Sequence, residues 1–238
     1  DYMRIDPLLG DEEDFITLCR RAHELDIKII LDGVFNHTGS DSLYFNKEGR
    51  YGAGGACRDP HSPYRSWYCW KDPAANLYES WWGFQSLPKL NSRDKSWREF
   101  LCGENGIVRH WLRLGADGWR LDVVDEYPDE LVQMIRAAAR AEKPDALILG
   151  EVWEDASCKE AYGERRQYLM GHELDSVMNY PLRQAILDYL LQGDGTAFRL
   201  RLWELLEHTP RPCWNVMMNL LSSHDVPRAI TVLGGTPM

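Results

Sequence analysis

From residue 11 onward, apolar side chains fall at Phe15, Leu18, Cys19, Ala22 and Leu25, three or four positions apart. That period gathers them on one face of a helix. An apolar run over 27–31 follows and stops at a polar group, Asp32, Asn36 and His37. A helix leading into a buried strand is the simplest reading. The alternation returns downstream, first as a helix over 96–114, opened by the capping box SWRE and broken near Gly103, then as a strand over 118–124. A helix from Asp129 carries Leu131, Met134, Ile135 and Ala138 on one face and stops before Pro144, ahead of a strand over 146–152. A short strand over 176–179, helices over 182–192 and 196–207, and a strand over 215–221 complete the pattern. Strands separated mainly by helices predict a parallel sheet with crossover connections.

Residues 38–95 break this rhythm. They are rich in Gly, Pro, Asn and Ser, and between Tyr44 and Phe84 they hold 11 of the chain's 27 aromatic residues. A long irregular excursion is either a functional insertion or disorder. This density of Trp and Tyr is incompatible with disorder. Some of Tyr44, Tyr51, Trp67, Tyr68, Trp70, Trp81 and Trp82 are expected to form a small core, and a minority to line a cleft, since sugar rings stack on aromatic faces.

Polar residues sharpen the picture. Asp32, Asp122, Glu151 and Asp225 stand at or just beyond the C-terminal ends of four apolar strands. Catalytic groups drawn from several strand ends are the habit of a (β/α)8 barrel, although an open sheet also binds ligands at its carboxyl edge. Both architectures remain open on periodicity alone. No Gly-rich phosphate loop follows a strand, which removes a dinucleotide reading.

Composition excludes further classes. The net charge of −10 argues against a nucleic-acid partner, which needs clustered Lys and Arg. No apolar run approaches the roughly 18 residues of a membrane span. Six cysteines show no metal-ligand spacing. Cys57 and Cys69 are the one pair placed to bridge, and the plainer reading is free thiols in a reducing compartment, the cytoplasm.

In GWRLDVVDE, residues 118–126, period two directs Arg120 and Asp122 to the same side of a strand. Folding alone does not require a guanidinium beside a carboxylate there. Several acids with an Arg and two His suit glycosidic bond cleavage, in which one carboxylate attacks and one carboxylic acid donates a proton, about 5 to 5.5 Å apart if configuration is retained. Arg120 favours an ionised Asp122, the better nucleophile. Apolar neighbours Val152 and Trp153 suit Glu151 as the acid/base. Asp225, beside His224, could stabilise the positively charged transition state. A lone carboxylate at a strand end is more often a helix cap or a salt-bridge partner. Four of them with His37, His224 and Arg120 weaken that reading.

These residues sit in DGVFNH at 32–37, GWRLDVVDE at 118–126, GEVWEDA at 150–156 and SSHD at 222–225, in that order. The sequence resembles the α-amylase family of glycoside hydrolases. Within it, LPKLN at 87–91, VVDE at 123–126, EVWEDA at 151–156 and VMNYP at 177–181 resemble the neopullulanase, cyclomaltodextrinase and maltogenic amylase group. The resemblance implies an α/β fold that is a (β/α)8 TIM barrel, incomplete at about strands three to seven, with residues 1–37 and 96–238 in the barrel and 38–95 as an inserted domain B after strand three. It implies Asp122 as nucleophile, Glu151 as acid/base, Asp225 as transition-state stabiliser, and His37, Arg120 and His224 around the sugar being cleaved. Glu126 and Trp153 match contacts on the leaving-group side, Asp32 a brace, and Asn36 a calcium ligand in relatives that bind the metal. No cofactor is expected to be required, because VVDE replaces the Lys-His pair of calcium-dependent relatives. The activity implied is retaining hydrolysis of α-1,4 bonds in maltooligosaccharides, cyclodextrins or pullulan, with cleavage of α-1,6 bonds and glycosyl transfer left open. The alternative is a silent amylase-like binding protein, or an inactive fragment of an active enzyme. By the same resemblance strands one, two and eight are expected to be missing, so an internal fragment is expected, paired with another copy or held by a missing segment.

Overall fold

The computed structural model describes residues 1–235, so the last three positions of the expected barrel segment 96–238 lie outside the described residues. The chain divides into two compact units, Asp1–Leu147 and Ile148–Met238.

The first unit opens with helix α1, Glu12–His23. Asp11 caps it by accepting from the Glu13 and Asp14 N–H groups, while Asp14 returns a bond to the Asp11 N–H. Cys19 and Ala22 are buried, as the periodicity predicts, but Leu18 and Leu25 are exposed. Strand β1, Ile30–Gly33, begins later than the apolar run suggests. The Ile27 N–H bonds back to Ala22, and the Ile29 N–H is held by the Asp117 carboxylate, so the first residues of the run close the helix instead of entering the sheet.

The insertion contributes an antiparallel pair, β2 (Trp70–Asp72) and β3 (Leu77–Tyr78). Its aromatics form a core: Phe45 packs edge-on against Tyr68 and Tyr78, each with ring centroids 4.7 Å apart. A second cluster joins Tyr2, Tyr44, Trp67, Trp97 and Phe100. Trp82 and Phe84 remain exposed. Backbone bridges join His37 to Lys89 and Tyr68 to Leu90, so the insertion is tied to the segment that leaves β1. All six cysteines are free, and the Cys57–Cys69 bridge is not formed.

Helix α2, Lys95–Cys102, is capped by Asp94 and not by the SWRE box. The Asp94 carboxylate accepts from the Trp97 N–H, and Ser96 donates to that same carboxylate. A turn at Gly103 to Gly106 separates it from α3, Ile107–Arg113, where the break was expected. Strand β4, Gly118–Leu121, runs parallel to β1 with Asp32 opposite Arg120. It stops short of 124 because Val123 adopts a left-handed conformation, φ 41°, and turns the chain into the short helical segment Val124–Glu126. Helix α4, Asp129–Glu142, buries Leu131, Val132, Ile135, Ala138 and Ala139.

Strand β5, Leu147–Gly150, starts at the last residue of the first unit, and its part in the second unit runs parallel to β8, Ser176–Val177. Between them lies a small hairpin, β6 (Glu160–Ala161) and β7 (Glu164–Arg165). Helices α5, Tyr180–Gln192, and α6, Gly195–His208, follow, with Asn179 and Asp194 as caps. Short helices α7, Arg211–Trp214, and α8, Ala229–Val232, come later. The expected strand over 215–221 is reduced to one parallel bridge, Met178 to Met218. The Val216 and Met217 N–H groups bond back to Cys213 and Trp214, so half of the run is spent on a turn. Each unit thus holds parallel strands with flanking helices, an α/β fold. Exposed apolar side chains include Leu190, Leu191, Leu200 and Trp203.

Candidate active site

The parallel register of β1 and β4 sets Asp32 beside Arg120. From there the Arg120 Nη1 donates to Asp32 and to Asp122, each at 2.7 Å. Arg120 is 8% exposed. Charge-assisted bonds from a buried, immobile donor fix the direction in which the Asp122 oxygens face. The Asp122 N–H donates to the Gly33 carbonyl, which anchors its backbone as well. Tyr127 locks the same corner: its hydroxyl donates to Gly33 O and accepts from the Phe35 N–H. Burial pushes that phenol well above its usual range, so it remains a neutral donor.

His37 is buried and stacks on Trp81 with centroids 5.3 Å apart. Burial lowers its pKa, and the Glu126 carboxylate pulls it partly back. The ring is therefore held toward its neutral form, and its Nδ1 meets the Asn36 amide at 3.3 Å. Glu126 accepts from the Lys89 ammonium at 3.0 Å. Asp32, Asn36, His37, Arg120, Asp122 and Glu126 all belong to the first unit, carried by β1, β4 and the loops that follow them.

In the second unit Glu151 follows β5 and is 5% exposed. Trp153 Nε1 donates to its carboxylate at 2.9 Å, and the indole lies flat on Tyr180, with centroids 4.4 Å apart and 7° between planes. A cavity of about 430 Å³ borders this stack, lined in part by Arg183, Gln184 and Val226. His224 and Asp225 pair at 3.0 Å in an exposed loop. Arg183 on α5 holds that loop by donating to the Leu221 and Pro227 carbonyls.

Two short motifs at strand ends therefore develop into supported carboxylates. Sequence reasoning placed Trp81 only among the aromatics of the insertion and did not single out Tyr127, Tyr180 or Arg183. Trp81 and Tyr180 were legible as aromatics beside the motifs; the carbonyl grip of Arg183 leaves no trace in a sequence. Calcium takes six to eight oxygen ligands, and Asn36 meets the His37 ring through its amide nitrogen. Among the described residues no group of three His, Cys, Asp or Glu could hold a metal ion.

The catalytic domain described as "Alpha amylase, catalytic domain" matches residues 1–237. The chain belongs to the α-amylase family. Among its family relatives, the amylopullulanase of Thermoanaerobacter thermohydrosulfuricus is 39% identical over 98% of this chain and 17% of its own length. The cyclomaltodextrinase of Geobacillus thermopakistaniensis is 36% identical over 99% of this chain and 38% of its own. Neopullulanase 2 of Thermoactinomyces vulgaris is 35% identical over 99% of this chain and 38% of its own length, and the chain falls with this neopullulanase and cyclomaltodextrinase group within the family. It spans less than half the length of these relatives. A similar solved structure is the cyclic α-maltosyl-(1→6)-maltose hydrolase of Arthrobacter globiformis in complex with its cyclic sugar, with TM-score 0.84, 29% identity, and coverage of 99% of this chain and 50% of that one.

Proposed function

We propose that this chain carries the catalytic residues of a retaining α-glucan hydrolase acting on α-1,4 and α-1,6 glucosidic bonds in maltooligosaccharides, cyclodextrins or pullulan. Asp122 is the nucleophile, Glu151 the acid/base and Asp225 the charge stabiliser. Arg120, His37 and His224 contact the sugar undergoing cleavage, Glu126 and Trp153 the leaving-group side, and Asp32 braces Arg120. The observation that carries this reading is the Arg120 guanidinium shared between Asp32 and Asp122 at 2.7 Å. It presents one carboxylate in a fixed orientation, as attack on an anomeric carbon requires.

In the mechanism, Glu151 gives its proton to the glycosidic oxygen while Asp122 attacks the anomeric carbon, forming a covalent glycosyl ester. Glu151, now a base, takes a proton from water, which displaces Asp122 and restores both groups. The Trp153 N–H donates to the Glu151 carboxylate and so orients it, and the Trp153–Tyr180 stack offers a flat apolar face to a departing sugar. No step requires a metal.

Residues 1–37 and 96–238 are assigned to a partial (β/α)8 barrel and 38–95 to domain B, supported by the backbone bridges that tie the insertion to the end of β1. The exposed apolar side chains Leu18, Leu25 and Leu200 support association with a second copy, and sedimentation as a monodisperse monomer would contradict it. Six free thiols support a reducing, cytoplasmic setting. The experiment is reducing-sugar release from maltoheptaose, β-cyclodextrin and pullulan by the chain and its Asp122→Asn variant, both checked for folding by circular dichroism. Release that vanishes in the variant supports the assignment. Release that persists overturns it, and binding without release by the unsubstituted chain favours a silent binding protein.

A further inference from the structure

Glu126 ends the short helical segment that follows Asp122 and Val123. Its carboxylate caps nothing, because the backbone bonds of the turn are closed by the Glu126 and Tyr127 N–H groups on Val123 and Val124. The side chain is nonetheless only 12% exposed. Removing a carboxylate from water without a local backbone partner is costly. What compensates is the Lys89 ammonium at 3.0 Å, itself 29% exposed.

Lys89 is held firmly at its backbone. Its N–H donates to Glu79 O at 2.9 Å, its carbonyl accepts the Cys69 N–H at 3.0 Å, and it bridges to His37. Both neighbours of Lys89 bond to the same segment, through Thr38 N–H to Pro88 O and Leu90 N–H to Asn36 O. The stem of the ammonium is thereby fixed relative to His37. An ammonium has three donors and a carboxylate about four acceptor sites. Their mutual bond uses one of each and leaves a donor and an acceptor side by side, next to His37.

We propose that Lys89 is a positioning residue that holds the Glu126 carboxylate, and that the pair together receives a vicinal diol of a glucose unit, one hydroxyl donating to Glu126 and its neighbour accepting from Lys89. This rests on the α-glucan reading above and adds to it a residue that fixes how a sugar is seated. A lone Glu126 could accept a hydroxyl proton but would not fix the second hydroxyl. A surface ion pair serving folding alone would be worth little and would show no preference for a ligand.

The test is calorimetric titration of maltoheptaose into the chain carrying Asp122→Asn, which prevents turnover, alone and with Lys89→Met, Lys89→Arg, Glu126→Gln, and Lys89→Met with Glu126→Gln. Lys89→Met is expected to weaken binding about tenfold, since it releases the Glu126 carboxylate from its fixed position and removes the donor to the second hydroxyl. Lys89→Arg, which keeps the charge, should remain within about threefold of the parent. In the Glu126→Gln background the methionine substitution should add clearly less than the loss it causes alone, because the two residues act as a unit. Thermal unfolding checks each variant, and Lys89→Gln replaces Lys89→Met if the latter fails to fold. Unchanged binding in Lys89→Met, or an equal loss with and without Glu126→Gln, overturns the inference while leaving the hydrolase reading intact. Absence of maltoheptaose binding by the Asp122→Asn chain itself overturns both.

Discussion

Asp117 shows how the site is held from beneath. This acid opens the strand whose far end carries Arg120, and its side chain is 5% exposed. It receives Lys143 Nζ at 2.6 Å, His23 Nε2 at 2.7 Å and the Ile29 N–H at 2.8 Å, with Lys28 at 3.6 Å. One carboxylate thus joins α1, the entry to β1, the start of β4 and the end of α4. Burial alone would raise its pKa, but the Lys143, Ile29 and His23 bonds prevail and bring it from 3.8 to about 2. At about 1.4 kcal/mol per tenfold change, the ionised form contributes about 2 kcal/mol of stability at neutral pH. Because the folded value lies below the unfolded one, this contribution is complete above pH 4 to 5 and is lost as pH falls through the folded value. Asp117→Asn should therefore lower the urea-unfolding free energy by about 2 kcal/mol at pH 7 and by about half as much at pH 3. A difference that is absent at pH 7, or identical at pH 7 and pH 3, would refute the reasoning.

Further outcomes follow from other groups. His37 is held toward neutrality by burial, so its contribution is full above its ordinary value near 6.5 and is lost as pH falls below it; His37→Gln should flatten the decline in thermal stability between pH 7 and pH 5. A Cβ on Gly118 would meet the Leu147 carbonyl oxygen at 2.2 Å, so Gly118→Ala should cost on the order of 1 to 3 kcal/mol in denaturant titration. Trp97→Ala, at a fully buried ring between Tyr2 and Trp67, should cost about 3 to 5 kcal/mol by the same measurement. Glu151→Gln should slow hydrolysis of maltoheptaose by about a hundredfold or more, yet spare the first step on a substrate whose leaving group needs no proton, such as a maltosyl fluoride, so that fluoride appears in a rapid burst of about one equivalent before the slow, base-requiring release of the sugar.

Much of this arrangement was written in local pattern. Helices α4, α5 and α6 lie close to where the apolar period put them because each also carries a local stop or cap, such as Pro144, Asn179 or Asp194. Asp122 and Glu151 were legible because strand ends concentrate polar residues against an apolar background, whereas the strand expected ahead of Asp225 is reduced to a single bridge. Strand boundaries were less so. Val123 belongs to an apolar alternation by composition, but its left-handed backbone ends β4 at Leu121, and period two cannot register a φ angle. The run over 215–221 failed as a strand for a related reason: its N–H groups found turn partners first. SWRE has the composition of a capping box, but Asp94 stands closer to the helix start and Ser96 became its ligand. The Lys89–Glu126 pair joins residues 37 positions apart, and no spacing rule reaches that far.

The central claim is that Asp122 attacks the anomeric carbon of an α-glucan. The most direct measurement is to incubate the chain with a ring-fluorinated maltosyl fluoride, which slows release of a covalent intermediate, quench in acid, and locate the added sugar by peptide mass spectrometry. The sugar is predicted on the peptide containing Asp122 and absent from the Asp122→Asn variant. Turnover of the reagent with the sugar on another carboxylate, or with no covalent adduct at all, would contradict the account.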